Sequence, residues 1–218
     1  MTNPNVPPSE DPTNALGRTC THKLALIFVR PLANTFVTPN HLTFLRLITG
    51  LAACYCFATG DRELMIWGGW IWVLSAFLDR TDGELARLSG KTSAWGHKFD
   101  MFCDSATTSL FFVAGGIGLR DTELGHWAIF MGIAGGLGVL AAEYYAEQID
   151  KRNDDPDDRA YPGFAGFDFD DVLYLFAVIA WFDWFMPIVI GASIGAPAFA
   201  FLTWYKWQKL PPLDNAKP

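Results

Sequence analysis

Four aspartates at fixed spacing are the residues of this sequence best suited to chemistry. Asp79 and Asp82 directly follow an uncharged stretch of fifteen residues, Leu64–Leu78, and Asp100 and Asp104 come soon after. Because an α-helix turns by about 100° per residue, each pair of aspartates points to one face of its helix. Carboxylates gathered in an apolar environment repel one another, so they persist there only when they are protonated or neutralised by cations.

The chemistry of such a cluster follows from its ligand type. Hard carboxylate oxygens favour Mg²⁺, Mn²⁺ or Ca²⁺ over zinc. Divalent ions held this way suit phosphoryl or phosphodiester transfer, in which the metal binds a pyrophosphate and a spare carboxylate takes a proton from a hydroxyl. Ordinary salt bridges of Asp79 with Arg80 and of Asp82 with Arg87 would be a simpler interpretation. They would leave the second pair of aspartates unexplained.

The composition indicates that a membrane domain holds these carboxylates. Hydrophobic residues make up 51% of the 218 residues and charged residues only 18%, which is below the average for soluble proteins. The sequence has no basic stripe to neutralise phosphates, so nucleic acid is not expected as a partner. The first residues are polar and proline-rich and lack the apolar core of a signal peptide, so we expect a disordered tail.

We expect an all-α integral membrane fold of six transmembrane helices preceded by an interfacial amphipathic helix. Apolar residues at positions 24, 27, 28 and 32 predict that first helix. The predicted domains are a polar tail over 1–19, the membrane domain over 20–210 and a C-terminal tail over 211–218. The spans are expected at about His41–Ala58, Leu64–Leu88, Ala94–Leu119, Leu124–Ile149, Asp171–Trp184 and Phe185–Trp207.

The basic residues predict the orientation of these spans. If both termini are cytoplasmic, only Arg62 and Arg120 lie outside and Arg46 lies within the first span, as the positive-inside rule requires. The aspartates then lie at the cytoplasmic ends of the second and third spans. Gly132 and Gly136 in the fourth span form a small-xxx-small pair, which suits either packing within one bundle or a dimer face.

The aspartates belong to a longer pattern, D-x-x-D-G-x-x-A-R-x(8)-G-x(3)-D-x(3)-D, which resembles the signature of the CDP-alcohol phosphotransferases. The segment TPNHLTFLRLITG at 38–50 also looks like the start of the first span in that family, and the resemblance covers roughly residues 20–210. The chain has every fixed position of the signature, namely Asp79, Asp82, Gly83, Ala86, Arg87, Gly96, Asp100 and Asp104.

The resemblance implies a six-helix bundle, usually a homodimer, in a membrane such as the bacterial inner (cytoplasmic) membrane, with the site facing the cytoplasm. It implies that Asp79, Asp82 and Asp100 bind one or two Mg²⁺ or Mn²⁺ ions. Asp104 would be the general base and would also reach the metal. The residues implied to receive the cytidine nucleotide are Gly83, Ala86 and Arg87, with Asn40, Thr43 and Arg46 from the first span.

The implied reaction displaces CMP from a CDP-linked alcohol, above all CDP-diacylglycerol, by a polar alcohol acceptor, and so makes a phospholipid among the membrane lipids. The alternative is transfer of a head group from a soluble CDP-alcohol to a lipid hydroxyl. A divalent-cation transporter is a candidate from a different class, but it would not require Gly83, Ala86 and Arg87. The acidic segment over 147–175 favours a neutral or cationic acceptor, unless it is a solvated loop without influence. Glu143 is assigned no catalytic role.

Overall fold

The computed structural model describes residues 20–152 and 172–210, which form seven α-helices and, within those ranges, no strand. This confirms the all-α class. The tails at 1–19 and 211–218 and the acidic residues 153–171 lie outside the described residues. The helices are α1 Cys20–Val29, α2 Pro39–Thr59, α3 Arg62–Ser89, α4 Ala94–Gly118, α5 Trp127–Asp150, α6 Val172–Trp181 and α7 Phe185–Lys209.

Local signals place the helix ends within three residues of the predicted spans. Pro39 occupies the first turn of α2, where its missing N–H costs nothing. The Asp61 carboxylate accepts a hydrogen bond from the Leu64 N–H at the start of α3 (2.9 Å), and α3 ends at Gly90 with φ 66°. The predicted fifth span ends at Trp181 rather than Trp184, because the next turn places Asp183 in the left-handed region (φ 58°).

The helix α2 lies between α3 and α4. Its backbone packs closely along both of them, whereas the backbones of α3 and α4 lie farther apart and these two helices meet through side chains. Gly50 permits this arrangement, since a Cβ there would come 2.7 Å from Thr107 Cγ2 on α4 and 3.2 Å from Ser75 Oγ on α3. Helical periodicity places each aspartate pair on one face of its helix, and these faces of α3 and α4 bring three of the four carboxylates together beside α2. The two aspartate pairs approach each other across α2.

The glycines of α5 allow it to pack closely against α4 of the same chain. A Cβ on Gly132 would lie 2.5 Å from the carbonyl oxygen of Phe112, and one on Gly136 would lie 2.7 Å from that of Ser109. Such distances leave no room for a larger side chain. The structure therefore favours packing within one bundle over a dimer face for this pair of glycines.

An aromatic core fixes the half of the bundle that lies away from the aspartates. Phe57, Phe111 and Phe185 come from α2, α4 and α7, and each is at most 1% exposed. Their ring centroids are 5.1–5.4 Å apart, and Trp72 of α3 lies 5.1 Å from Phe111. Aromatic contacts at this spacing add to the free energy gained by burial. The helices are thus held at one end, while their other ends carry the polar residues.

The two arginines predicted on the outer side cap helix C-termini. Arg62 donates a hydrogen bond to the carbonyl oxygen of Ala180 at the end of α6 (2.5 Å). Arg120 donates to that of Ala58 at the end of α2 (2.8 Å) and to that of Ile117 at the end of α4 (3.0 Å). Carbonyls in the last turn of a helix lack intrahelical partners, so each arginine satisfies groups that would otherwise be unpaired.

The outer surface of the bundle suits lipid. Three helices, α2, α5 and α7, are long and apolar enough to cross a membrane. Large apolar side chains lie on the outside, with Trp127 and Ile194 each 72% exposed, which a water-soluble monomer would avoid. Together with the polar end of the bundle, this indicates an integral membrane protein.

We expect Gly132→Ala to destabilise the protein by about 1–3 kcal/mol, because the new methyl group meets a backbone carbonyl that cannot move freely. Gly191→Ala on α7 is the matched control, since a Cβ there has no neighbour within 4 Å. Thermal unfolding in detergent would compare the two variants. Equal melting temperatures would contradict the close α4–α5 packing.

Candidate metal and phosphotransfer site

Three of the predicted aspartates form a group that could hold a metal ion. One carboxylate oxygen from each of Asp79, Asp82 and Asp100 lies within 4.8 Å of the others. Asp82 is only 3% exposed, whereas Asp79 and Asp100 are partly exposed. Hard oxygen ligands on two different helices suit a divalent cation such as Mg²⁺.

Arg46 of α2 connects this group to the fourth aspartate. Its Nη1 lies 2.8 Å from Asp79 Oδ1 and 3.2 Å from Asp100 Oδ1, and its Nη2 contacts Asp104 Oδ1. The whole residue is 2% exposed. The planar guanidinium presents several donors at once, so one side chain can serve three carboxylates. Asp104 is outside the group of three and is joined to it through Arg46.

Thr43 lies one helical turn before Arg46 and faces the same carboxylates. Its hydroxyl donates to Asp82 Oδ2 (2.6 Å), and the residue is 2% exposed. On α3, the Ser75 hydroxyl donates to the carbonyl oxygen of Arg46 (3.0 Å), which ties that part of α2 to α3. The structure thus directs Thr43 and Arg46 towards aspartates, a role that sequence reasoning missed. Their nucleotide contacts stay a prediction.

A sequence signal for the role of Arg46 existed. An arginine within an apolar span needs a partner of opposite charge. Asp61 and Glu63 are nearer in sequence but lie beyond the far end of that span, which leaves the four aspartates as its expected partners. The family resemblance implied a nucleotide contact for Arg46 instead.

Gly96 allows the start of α2 to approach the start of α4. A Cβ on Gly96 would lie 2.6 Å from Asn40 Oδ1 and 2.9 Å from Ser93 Oγ. Ser93 caps α4 by accepting a hydrogen bond from the Gly96 N–H (2.9 Å). Asn40 therefore lies beside the first turn of α4, one turn before Asp100. The glycine is required for that closeness.

Arg87 lies over Gly83 near the end of α3. A Cβ on Gly83 would lie 3.4 Å from Arg87 Nη2, so the glycine leaves this guanidinium space to fold back. Arg87 Nη2 donates to Glu84 Oε1 (2.8 Å), and the Glu84 side chain is 1% exposed while that of Arg87 is 49% exposed. Ala86 is partly buried beside them. A buried carboxylate thus orients a cation that remains accessible to an anionic ligand.

Fold and site together define a class of protein, an α-helical membrane bundle with a carboxylate group suited to divalent ions. Residues 36–205 match the sequence model of the CDP-alcohol phosphatidyltransferase family. Since this match spans most of the chain, the protein belongs to that family, as the motif resemblance predicted. The family gives no support to the cation-transporter alternative.

Individual relatives match over shorter ranges. The chain is 38% identical to the archaetidylinositol phosphate synthase of Pyrococcus horikoshii over 87 residues, covering 39% of this chain and 45% of that protein. It is 32% identical to the phosphatidylinositol phosphate synthase of Cutibacterium acnes over 112 residues, 47% of this chain and 52% of that protein. It is also 32% identical to cholinephosphotransferase 1 of Danio rerio over 109 residues, which cover 46% of this chain and 28% of that protein. The matches span about half or less of these relatives.

A solved structure shares the fold over nearly its whole length. The crystal structure of the phosphatidylinositol phosphate synthase of Mycobacterium tuberculosis with CDP-DAG bound aligns with a TM-score of 0.60. The alignment covers 91% of this chain and 98% of that one, at 16% identity. At this identity the likeness establishes a common fold only.

Replacing Arg46 should expose the repulsion among the aspartates. We expect Arg46→Met to lower stability by about 3 kcal/mol or more in EDTA, because it leaves buried carboxylates uncompensated. Added Mg²⁺ should then raise the melting temperature of the variant more than that of the original protein, because it neutralises the same oxygens. Lys206→Met, at an exposed position on α7, is the control. An unchanged melting temperature in EDTA would show that Arg46 does not stabilise the cluster.

Proposed function

We propose that this protein is a membrane phosphotransferase that displaces CMP from a CDP-linked alcohol, most simply CDP-diacylglycerol, and joins the remaining phosphate to an acceptor hydroxyl. One observation carries the proposal. Three carboxylates suited to a metal lie together, and Arg46 links them to a fourth, Asp104, which lies outside that group. That arrangement leaves one carboxylate beside the metal group for proton transfer, which suits metal-assisted transfer to a hydroxyl.

In this proposal Asp79, Asp82 and Asp100 hold one or two Mg²⁺ or Mn²⁺ ions. The metal, when bound, neutralises the diphosphate of the donor and makes its phosphorus easier to attack. Arg87 supplies a further positive charge for that diphosphate, and its position over Gly83 supports this. Ala86, Asn40 and Gly83 border the space proposed for the cytidine.

Asp104 is the proposed base. The acceptor oxygen forms a bond to the phosphorus that bears the donor alcohol, while its proton passes to the Asp104 carboxylate. The bond from that phosphorus to the bridging oxygen breaks, and CMP leaves with the electron pair. The Asp104 side chain is 40% exposed, so an acceptor can reach it, and Arg46 balances its negative charge.

We further propose that α2 to α7 make up the six spans of a membrane domain over 20–210, and that α1 lies in the membrane interface. The exposed apolar side chains Leu24, Ile27 and Phe28 of α1 support the interfacial position. The positive-inside pattern supports a site facing the cytoplasm, in a membrane such as the bacterial inner membrane. A homodimer is supported by the family resemblance alone.

The second candidate is a reaction in which the donor is a soluble CDP-alcohol and the acceptor is a lipid hydroxyl. The relatives include an archaetidylinositol phosphate synthase, a phosphatidylinositol phosphate synthase and a cholinephosphotransferase, so their names do not decide between the two reactions. The same metal group and the same base would serve both reactions.

The decisive experiment measures CMP release by the purified protein in lipid with Mg²⁺, CDP-diacylglycerol and a panel of acceptors, then with soluble CDP-alcohols and diacylglycerol. We expect release that depends on acceptor and metal. Asp104→Asn should lower the rate by about 10²–10⁴-fold, because the base is lost. It should keep the thermal stabilisation by CDP. Wild-type turnover in Asp104→Asn would remove this residue from the role of base.

Arg87→Ala should weaken CDP binding by about tenfold or more, because a charge-assisted contact to phosphate is removed. Since Glu84 is buried beside Arg87, the double variant Arg87→Ala with Glu84→Gln separates nucleotide binding from a folding defect. Titration calorimetry with CDP and Mg²⁺ measures the affinity, and Arg30→Ala, on an exposed position, is the control. Equal CDP affinity in all variants would show that the nucleotide does not contact Arg87.

A further inference from the structure

Glu143 of α5 lies against the part of α4 that carries Asp104. The close α4–α5 packing sets this position. Gly136 meets Ser109 of α4, and Glu143, two turns further along the same face of α5, meets Ser105. Ser105 directly follows Asp104 in the chain. The side chain of Glu143 is thus close enough to the proposed base for the two charges to interact.

The carboxylate of Glu143 is only half satisfied. The Ser105 hydroxyl donates a hydrogen bond to it, and the charges of Asp104 and Arg46 act on it. Its Oε2 is fully buried and has no hydrogen-bond partner among the described residues. A buried carboxylate oxygen without a donor is costly, so such a group in a native structure calls for an explanation, and a cationic ligand that completes it is one.

The described cations nearby are already engaged. Arg46 serves three aspartates. Lys151 pairs with Glu147 one turn beyond Glu143. Arg152 stacks over the Trp207 ring at 4.6 Å and donates to the carbonyl oxygen of that residue (3.4 Å). Hence a cationic group of the substrate is the best candidate to pair with the Glu143 carboxylate. A phosphorylated group at the same place would be repelled by the carboxylates of Glu143 and Asp104.

We propose that Glu143 binds the ammonium group of an amino alcohol and so determines which head group this protein transfers. The inference rests on the proposed function and adds its substrate class. The ammonium group can come from a free amino alcohol that attacks CDP-diacylglycerol, or from a CDP-amino alcohol whose head group passes to a lipid hydroxyl. In both cases the cation lies beside Asp104, where the substituted phosphate and the hydroxyl meet.

The test compares Glu143→Gln with Glu147→Gln in the full chain in lipid with Mg²⁺. Gln keeps the size of the side chain and can still accept from Ser105, but it loses the charge. One arm uses CDP-diacylglycerol with ethanolamine, serine, inositol or glycerol 3-phosphate, and the other uses CDP-ethanolamine with diacylglycerol. The arm in which the protein releases CMP identifies the source of the ammonium group.

We expect the wild type to prefer the amino alcohols, and Glu143→Gln to raise the KM for the amino substrate about tenfold or more. The KM for CDP-diacylglycerol, or for diacylglycerol in the second arm, should stay unchanged, as should stabilisation by CDP. Glu147→Gln should behave as the wild type. Glu143→Asp keeps the charge, so it should recover part of the affinity for the amino substrate. This variant also provides a test if Glu143→Gln folds poorly.

Two results would overturn the inference alone: an active wild type that prefers glycerol 3-phosphate, or an unchanged KM for the amino substrate in Glu143→Gln. The absence of CMP release by the wild type in both arms would instead overturn the proposed function, and the inference with it.

Discussion

One buried guanidinium, that of Arg46, balances carboxylates from two helices whose backbones pack against α2 rather than against each other. Asp79 comes from α3 and Asp100 and Asp104 come from α4, and all three meet Arg46 on α2. Removing such charges from water is favourable only if their partners are close and well oriented. The rest of the bundle therefore has to keep three helices at fixed distances, and Gly50 lets α2 fit between the other two.

The fold separates the residues that provide rigidity from those that provide chemistry. The rings of Phe57, Phe111 and Phe185 pack at one end, and the aspartates collect at the other. Small residues between these ends let helix backbones approach closely, which is how membrane helices associate when lipid offers no hydrophobic driving force. A cluster of like charges conflicts with good local packing, and conflicts of this kind are expected at functional sites.

Much of the fold and of the site could be predicted from sequence, because both depend on local patterns. Apolar run lengths and capping residues located the helices, and helical periodicity placed each aspartate pair on one face. The position of α2 between α3 and α4 could not be predicted, because it depends on which side chains of different helices fit together, as at Gly50. The contact of Glu143 with Ser105 was missed for the same reason, whereas a charged partner for Arg46 could have been inferred from its place in an apolar span. Nothing in the spacing along one helix reveals a partner on another.

The position of Arg46 has a thermodynamic consequence for the order in which ligands arrive. A divalent ion that binds Asp79 and Asp100 has to compete with the guanidinium for the same oxygens, so its intrinsic affinity is reduced. An anionic diphosphate that attracts Arg46 would release those oxygens and raise the affinity for the ion. By linkage, the ion must strengthen nucleotide binding by the same factor. Metal and nucleotide would then load cooperatively, and neither would occupy the enzyme well without the other.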